Sequence, residues 1–170
     1  MRLKIIVLFT FFSSFLVAQD QKCNCCTDKH TEFDFWKGDW ETYNPNGKLA
    51  GTNLIEKIQG NCILRENWVS VNAGYTGTSY NFYNMQSDQW EQIWIDNQGQ
   101  SLHLKGNLKG KKMVMLSDKI PQANGKFTIN RVSWTPNPDG TVRQLWETSE
   151  DGTNWTVAFD GLYRRKAKDK

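Results

Sequence analysis

Ten short runs of alternating character, each closed by a turn rich in glycine and asparagine, constrain this chain more than any other feature. The runs fall at roughly 39–44, 49–59, 62–71, 76–85, 89–96, 101–107, 111–117, 126–135, 141–149 and 155–165. Between them stand Pro45-Asn46-Gly47, Gln59-Gly60-Asn61, Asn97-Gln98-Gly99, Lys109-Gly110, Asn124-Gly125, Pro138-Asp139-Gly140 and Asp151-Gly152. These residues tolerate the positive φ of tight turns. Successive strands joined by tight turns are antiparallel neighbours. About ten of them in chain order predict an all-β, up-and-down antiparallel barrel, which leaves no exposed edge. No internal repeat, low-complexity linker or long amphipathic helix divides the chain.

Alternation sorts each run into two faces. Over 62–71, Ile63, Arg65, Asn67 and Val69 oppose Leu64, Glu66, Trp68 and Ser70. Over 89–96, Trp90, Gln92, Trp94 and Asp96 oppose Glu91, Ile93 and Ile95. Over 141–149, Val142, Gln144, Trp146 and Thr148 oppose Arg143, Leu145 and Glu147. Neither face is cleanly apolar, whereas a solid sandwich core sorts hydrophobic from polar more sharply. Aromatic and polar residues mixed on one face suit a barrel around a partly wet cavity. The expected wall residues are Glu66, Trp68, Tyr80, Phe82, Gln92, Trp94, Arg131, Trp134, Gln144 and Trp146. The guest they imply is a small hydrophobic or aromatic molecule. Eight tryptophans are heavy for a chain of this size. Rings that simply fill the barrel are the ordinary alternative.

The ends of the chain carry other information. Arg2 and Lys4, the apolar run Ile5 to Val17 and the small Ala18 are laid out as a secretory signal peptide over 1–19, cut near Ala18 or Gln19. The run is short for a membrane-spanning helix, so no transmembrane segment is expected after cleavage. A cysteine-containing leader at 20–32 and a barrel domain at 33–166 follow. Losing Arg2 and Lys4 lowers the formal charge from +3 by two. A nearly neutral domain offers no electrostatic case for nucleic acid. The basic Arg164 to Lys168 reads as a solvated tail.

An exported chain with four cysteines reads as two disulfides among Cys23, Cys25, Cys26 and Cys62. With all four paired, at least one leader cysteine must reach Cys62. The spacing leaves the three pairings open. A metal held by Cys23, Cys25, Cys26 and His30 is the competing reading, but structural zinc favours two separated ligand pairs. No metal or cofactor is expected, and the compartment is the periplasm or the exterior.

Phe33-Asp34-Phe35-Trp36-Lys37-Gly38-Asp39-Trp40 leads into the first run. One helical turn there puts Trp36 and Trp40 on the same side, and the chain turns at Gly38 into a strand. This opening resembles an uncharacterised family of exported bacterial domains that begin Phe-Asp-Phe-Trp-x-Gly-x-Trp. Further matching stretches are Gly60-Asn61-Cys62, Arg65 to Trp68, Gln92 to Asp96, Arg143 to Glu147 and Phe159 to Tyr163. The resemblance spans nearly the whole chain after residue 19. It implies a lipocalin-like barrel of the calycin group, which includes fatty-acid-binding proteins and nitrobindin-like haem barrels. Gly38-Asp39-Trp40 matches the lipocalin Gly-x-Trp entry. In such barrels the tryptophan packs under a basic side chain, a part that Arg143 or Arg164 would take by cation–π contact.

Few residues point to catalysis. Glu66, Arg131, Arg143, Glu147 and Asp160 are charges within strand runs, and any that face inward need partners. Two neighbouring carboxylates among Glu66, Glu147 and Asp160 would permit acid–base work, as in an isomerase or hydrolase. His103 shares a face with Ser101 and Lys105, which suits the surface better than a haem pocket. Ser149 to Trp155 resembles one Asp-box hairpin and reads as a structural turn. No nucleophile elbow, phosphate loop or metalloprotease helix is present in the sequence. Ligand binding is therefore expected ahead of catalysis, with a structural or interaction module as a third reading.

Overall fold

The computed structural model describes residues 23–167; the stretch 1–19, expected from the sequence to be a signal peptide, lies outside them. A short helix, α1 (Asp28–Thr31), and a 3-10 turn (Asp34–Trp36) precede eleven strands. They are β1 (Gly38–Tyr43), β2 (Leu49–Ile58), β3 (Ile63–Ser70), β4 (Thr76–Asn84), β5 (Gln89–Asp96), β6 (Ser101–Lys109), β7 (Lys112–Leu116), β8 (Ile120–Pro121), β9 (Phe127–Pro136), β10 (Val142–Ser149) and β11 (Thr156–Arg165). All pairings are antiparallel and join chain neighbours, save β7 with β9 and the closing pair β11 with β1. β11 returns to β1 and closes a ten-strand barrel. The two-residue β8 pairs only with β9, outside the ring. The ten expected runs are its ten strands, with small shifts at their ends.

One end of the barrel is plugged by the segment before β1. Phe33 stacks on Trp36 with centroids 5.0 Å apart and meets Trp90 and Trp134 edge-on at 5.6 and 5.1 Å. All four rings are fully or almost fully buried, with Leu64, Leu104 and Met113 among them. Burying rings of this size supplies the main drive for closing this end. The indole of Trp40 donates to the Trp36 carbonyl at 2.8 Å, which fixes the step from turn to strand.

The leader at 20–32 is part of this plug where it is described. Cys25 bonds Cys62 at the β2–β3 turn, and Cys23 bonds Cys26. Lys57 of β2 donates to the His30 carbonyl at 3.0 Å and pairs with Asp34 at 2.7 Å. His30 is itself buried, bonded to the Thr27 hydroxyl and set edge-on to Tyr83. With every cysteine in a disulfide, the sulfurs proposed as metal ligands are already used.

The expected basic cap over Trp40 is corrected by one residue. Arg165 lies 3.8 Å from the Trp40 ring centroid. Strand pairing sets Trp40 opposite Arg165, so their side chains share the inner face. Arg164 falls on the outer face over Tyr43, and Arg143 pairs with Asp160. Gly38 makes room for this cap. Its φ is +148°, and a Cβ there would run into the Arg165 guanidinium.

Among the described residues, no helix is long and apolar enough to cross a membrane.

Candidate functional site

The other end of the barrel is hollow. A cavity of about 390 Å³ lies between the inner faces of β3, β5, β9, β10 and β11, and reaches the β3–β4 loop. Its aromatic wall is Trp68, Trp94, Trp146 and Phe159, with Tyr75 on the loop side. Trp68 meets Phe159 edge-on at 6.2 Å. Trp146 is anchored by its indole, which donates to Asn130 at 2.8 Å.

Two glycines let the indoles lie back. The outer ring edge of Trp68 occupies the place where a Cβ of residue 51 would stand, 2.7 Å from the nearest ring atoms. The ring of Trp94 does the same over Gly77. A Cβ at Gly77 would run into the Trp94 ring, and one at Gly51 would meet the Val69 carbonyl oxygen at 2.4 Å as well as the Trp68 ring.

Polar groups form the floor, linked in one network. Glu66 is only 5% exposed. Its carboxylate accepts from Asn53 and from the Ser79 hydroxyl, both at 2.6 Å. Asn53 also donates to the Tyr163 hydroxyl, which in turn donates to Gln144. On the other side, Asn81 donates to Ser79 at 2.9 Å and Gln92 donates to Asn81 at 2.7 Å. Buried polar groups must be satisfied, and this chain of bonds does most of that work.

Glu66 has no basic partner: among the described residues no salt bridge reaches it. Burial pushes its carboxyl above the ordinary value, and the bonds from Ser79 and Asn53 pull part of the way back. Burial, with the nearby Glu66, likewise raises the Tyr163 hydroxyl well above its usual range. No lysine, arginine or histidine is among the residues lining the cavity.

Of the ten expected wall residues, Glu66, Trp68, Gln92, Trp94, Gln144 and Trp146 line the hollow. Four do not. Tyr80 and Phe82 point outward, because β4 gives its inner face to Ser79 and Asn81. Choosing the aromatic face as the inner one fails where the interior is polar. Arg131 is also outward, paired with Glu147 at 2.9 Å and lying 3.9 Å from the centre of the Trp155 ring. Trp134 is inward but sits under the plug, with Phe33 and Trp36. Asn53, Ser79 and Tyr163 were not foreseen. Their only sequence signal is a polar residue standing at an inward position of an otherwise apolar or small-residue face.

The two-carboxylate idea loses its geometry. Glu147 pairs with Arg131 and Asp160 with Arg143, both on the outside, which leaves Glu66 alone within. His103 is outside as well, about half-exposed and 2.7 Å from Glu91. The Asp-box-like turn is structural: Asp151 accepts from the amides of Thr153 and Asn154 at 2.7 Å, and these bonds hold its carboxyl well below the usual range.

Neither the protein-family models nor the curated proteins include a match to this chain.

Proposed function

We propose that this protein is a lipocalin-like carrier or receptor that binds one small, partly apolar molecule inside its barrel. The observation that carries the reading is the hollow end itself. Its volume of about 390 Å³ lies within the usual range for small-ligand sites. Three indoles and the Phe159 ring of β11 supply apolar contact, while Glu66, Gln92 and Gln144 supply a few fixed polar atoms. That mixture of apolar wall and sparse polar groups is what small-molecule sites use to combine affinity with orientation. The Gly38–Trp40 entry and Arg165 above Trp40 support the lipocalin-like assignment. Two disulfides support an oxidising compartment, outside the cell or in the periplasm.

Titrating the protein with a broad library of neutral lipids, pigments and aromatic compounds, followed by tryptophan fluorescence, tests the reading. Saturable quenching by at least one class, lost in Trp68→Ala or Trp94→Ala, is expected. No saturable response from any class would overturn it.

A further inference from the structure

The cavity is built for one sign of charge. Its single acidic group, Glu66, sits on the floor without a basic neighbour, and no cationic side chain is among the lining residues. Both Glu66 oxygens already accept one hydrogen bond each, yet a carboxylate has about four acceptor sites. The surrounding network is also short of donors, since the buried Asn53 carbonyl oxygen finds none. Outside the lining, Asp96 at the end of β5 is a second buried acid, accepting from the Tyr75 hydroxyl at 3.3 Å and from the Gln98 and Gln100 amides at 2.9 and 3.0 Å.

Resting on the cavity-binding reading above, we infer that the guest is an organic amine, with its nitrogen directed to Glu66 and its apolar body between Trp68, Trp94 and Trp146. An ammonium group gives a charge-assisted bond to the carboxylate, roughly twice as strong as a neutral one. Indole faces attract the same cation through their quadrupoles. A carboxylate ligand, by contrast, would place a second negative charge beside Glu66 with no base to offset either. The hollow therefore selects against fatty acids and other organic acids, whatever their apolar body.

Matched probe series test this on the full disulfide-bonded protein. Each series keeps one body (phenylethyl, indolylethyl or decyl) and varies the head group among amine, alcohol and carboxylate. In calorimetric titrations the amine of at least one series is expected to bind at least about tenfold tighter than its alcohol, with the carboxylate weakest. Glu66→Gln should erase that gap, read as the ratio of the amine's affinity to the alcohol's within the same variant. If Glu66→Gln does not fold, the ranking on the parent protein decides alone. An alcohol or carboxylate that matches the amine in every series, or a Glu66→Gln protein that keeps the preference, would overturn the inference and leave the cavity reading intact. If no probe binds, the amine assignment falls. If the neutral library also fails to quench, the binding reading falls with it.

Discussion

Arg165 covers the ring of Trp40 at 3.8 Å from its centroid, and it reaches this position only because residue 38 has no side chain. The same guanidinium donates to the Lys37 carbonyl at 2.7 Å, so the last strand locks the chain's entry into the first. Arg165→Ala should lose about 0.5–2 kcal/mol of stability, the range for a cation–π contact from exposed to desolvated. Gly38→Ala should cost more, because it adds a clash to a φ of +148° that L residues resist. In a double-mutant cycle by chemical denaturation, the pair should lose less than the sum of the two. Strict additivity would mean that the clash is not with Arg165.

The two disulfides contribute unequally. Cys25–Cys62 spans 37 residues and ties the plug to the barrel, whereas Cys23–Cys26 spans three. Replacing Cys25 and Cys62 together by alanine should cost about 3–4 kcal/mol in the chain-entropy account, and replacing Cys23 and Cys26 about 2 kcal/mol. Guanidinium unfolding of the two double variants measures the difference.

Glu66 gives stability a pH dependence of known sign. Its carboxyl is raised by burial above an ordinary value near 4.5. Between that value and the raised one, the folded chain holds more protons than the unfolded chain, so stability falls as pH rises. Glutamine at this position does not ionise. The stability of Glu66→Gln relative to the parent should therefore improve as the pH rises above the ordinary value near 4.5 and level off once the buried carboxyl has ionised, as read from urea midpoints. A difference that stays flat would show that Glu66 keeps its ordinary titration in the fold, and one that moves the other way would show that its carboxyl is lowered.

Gly77 sets the depth of the hollow. A Cβ there collides with the Trp94 ring, so Gly77→Ala should drive the indole inward at a cost of about 1–3 kcal/mol, the usual penalty for overpacking. The variant should remain folded by circular dichroism and bind any cavity probe more weakly. Unchanged affinity would place the guest elsewhere.

Much of the barrel was legible because its signals are local. Alternation and turn chemistry act within a few residues, which is why the run around Glu66 could be sorted correctly with Leu64 and Trp68 on its side. The errors and the open points arose where the answer depended on partners distant in sequence. Arg164 and Arg165 differ only in which of them the β1–β11 register sets opposite Trp40. The choice of Cys25 as the partner of Cys62 depends on how the plug folds back over the β2–β3 turn. Tyr80 and Phe82 stand among the expected wall residues. Yet β4 faces a polar floor, and Ser79 and Asn81 take the inner positions to complete it.

The indole N–H resonances offer the most direct test of ligand binding in the hollow. Of eight tryptophans, Trp68, Trp94 and Trp146 line the hollow, Trp36, Trp40, Trp90 and Trp134 are buried around the plug, and Trp155 lies outside under Arg131. In a nitrogen-15-labelled sample titrated with phenylethylamine, indolylethylamine or decylamine, saturable shifts are expected at Trp68, Trp94 and Trp146, with the other five nearly still. Shifts confined to Trp155 or spread evenly over all eight would contradict it, and shifts absent with every amine would contradict the amine assignment.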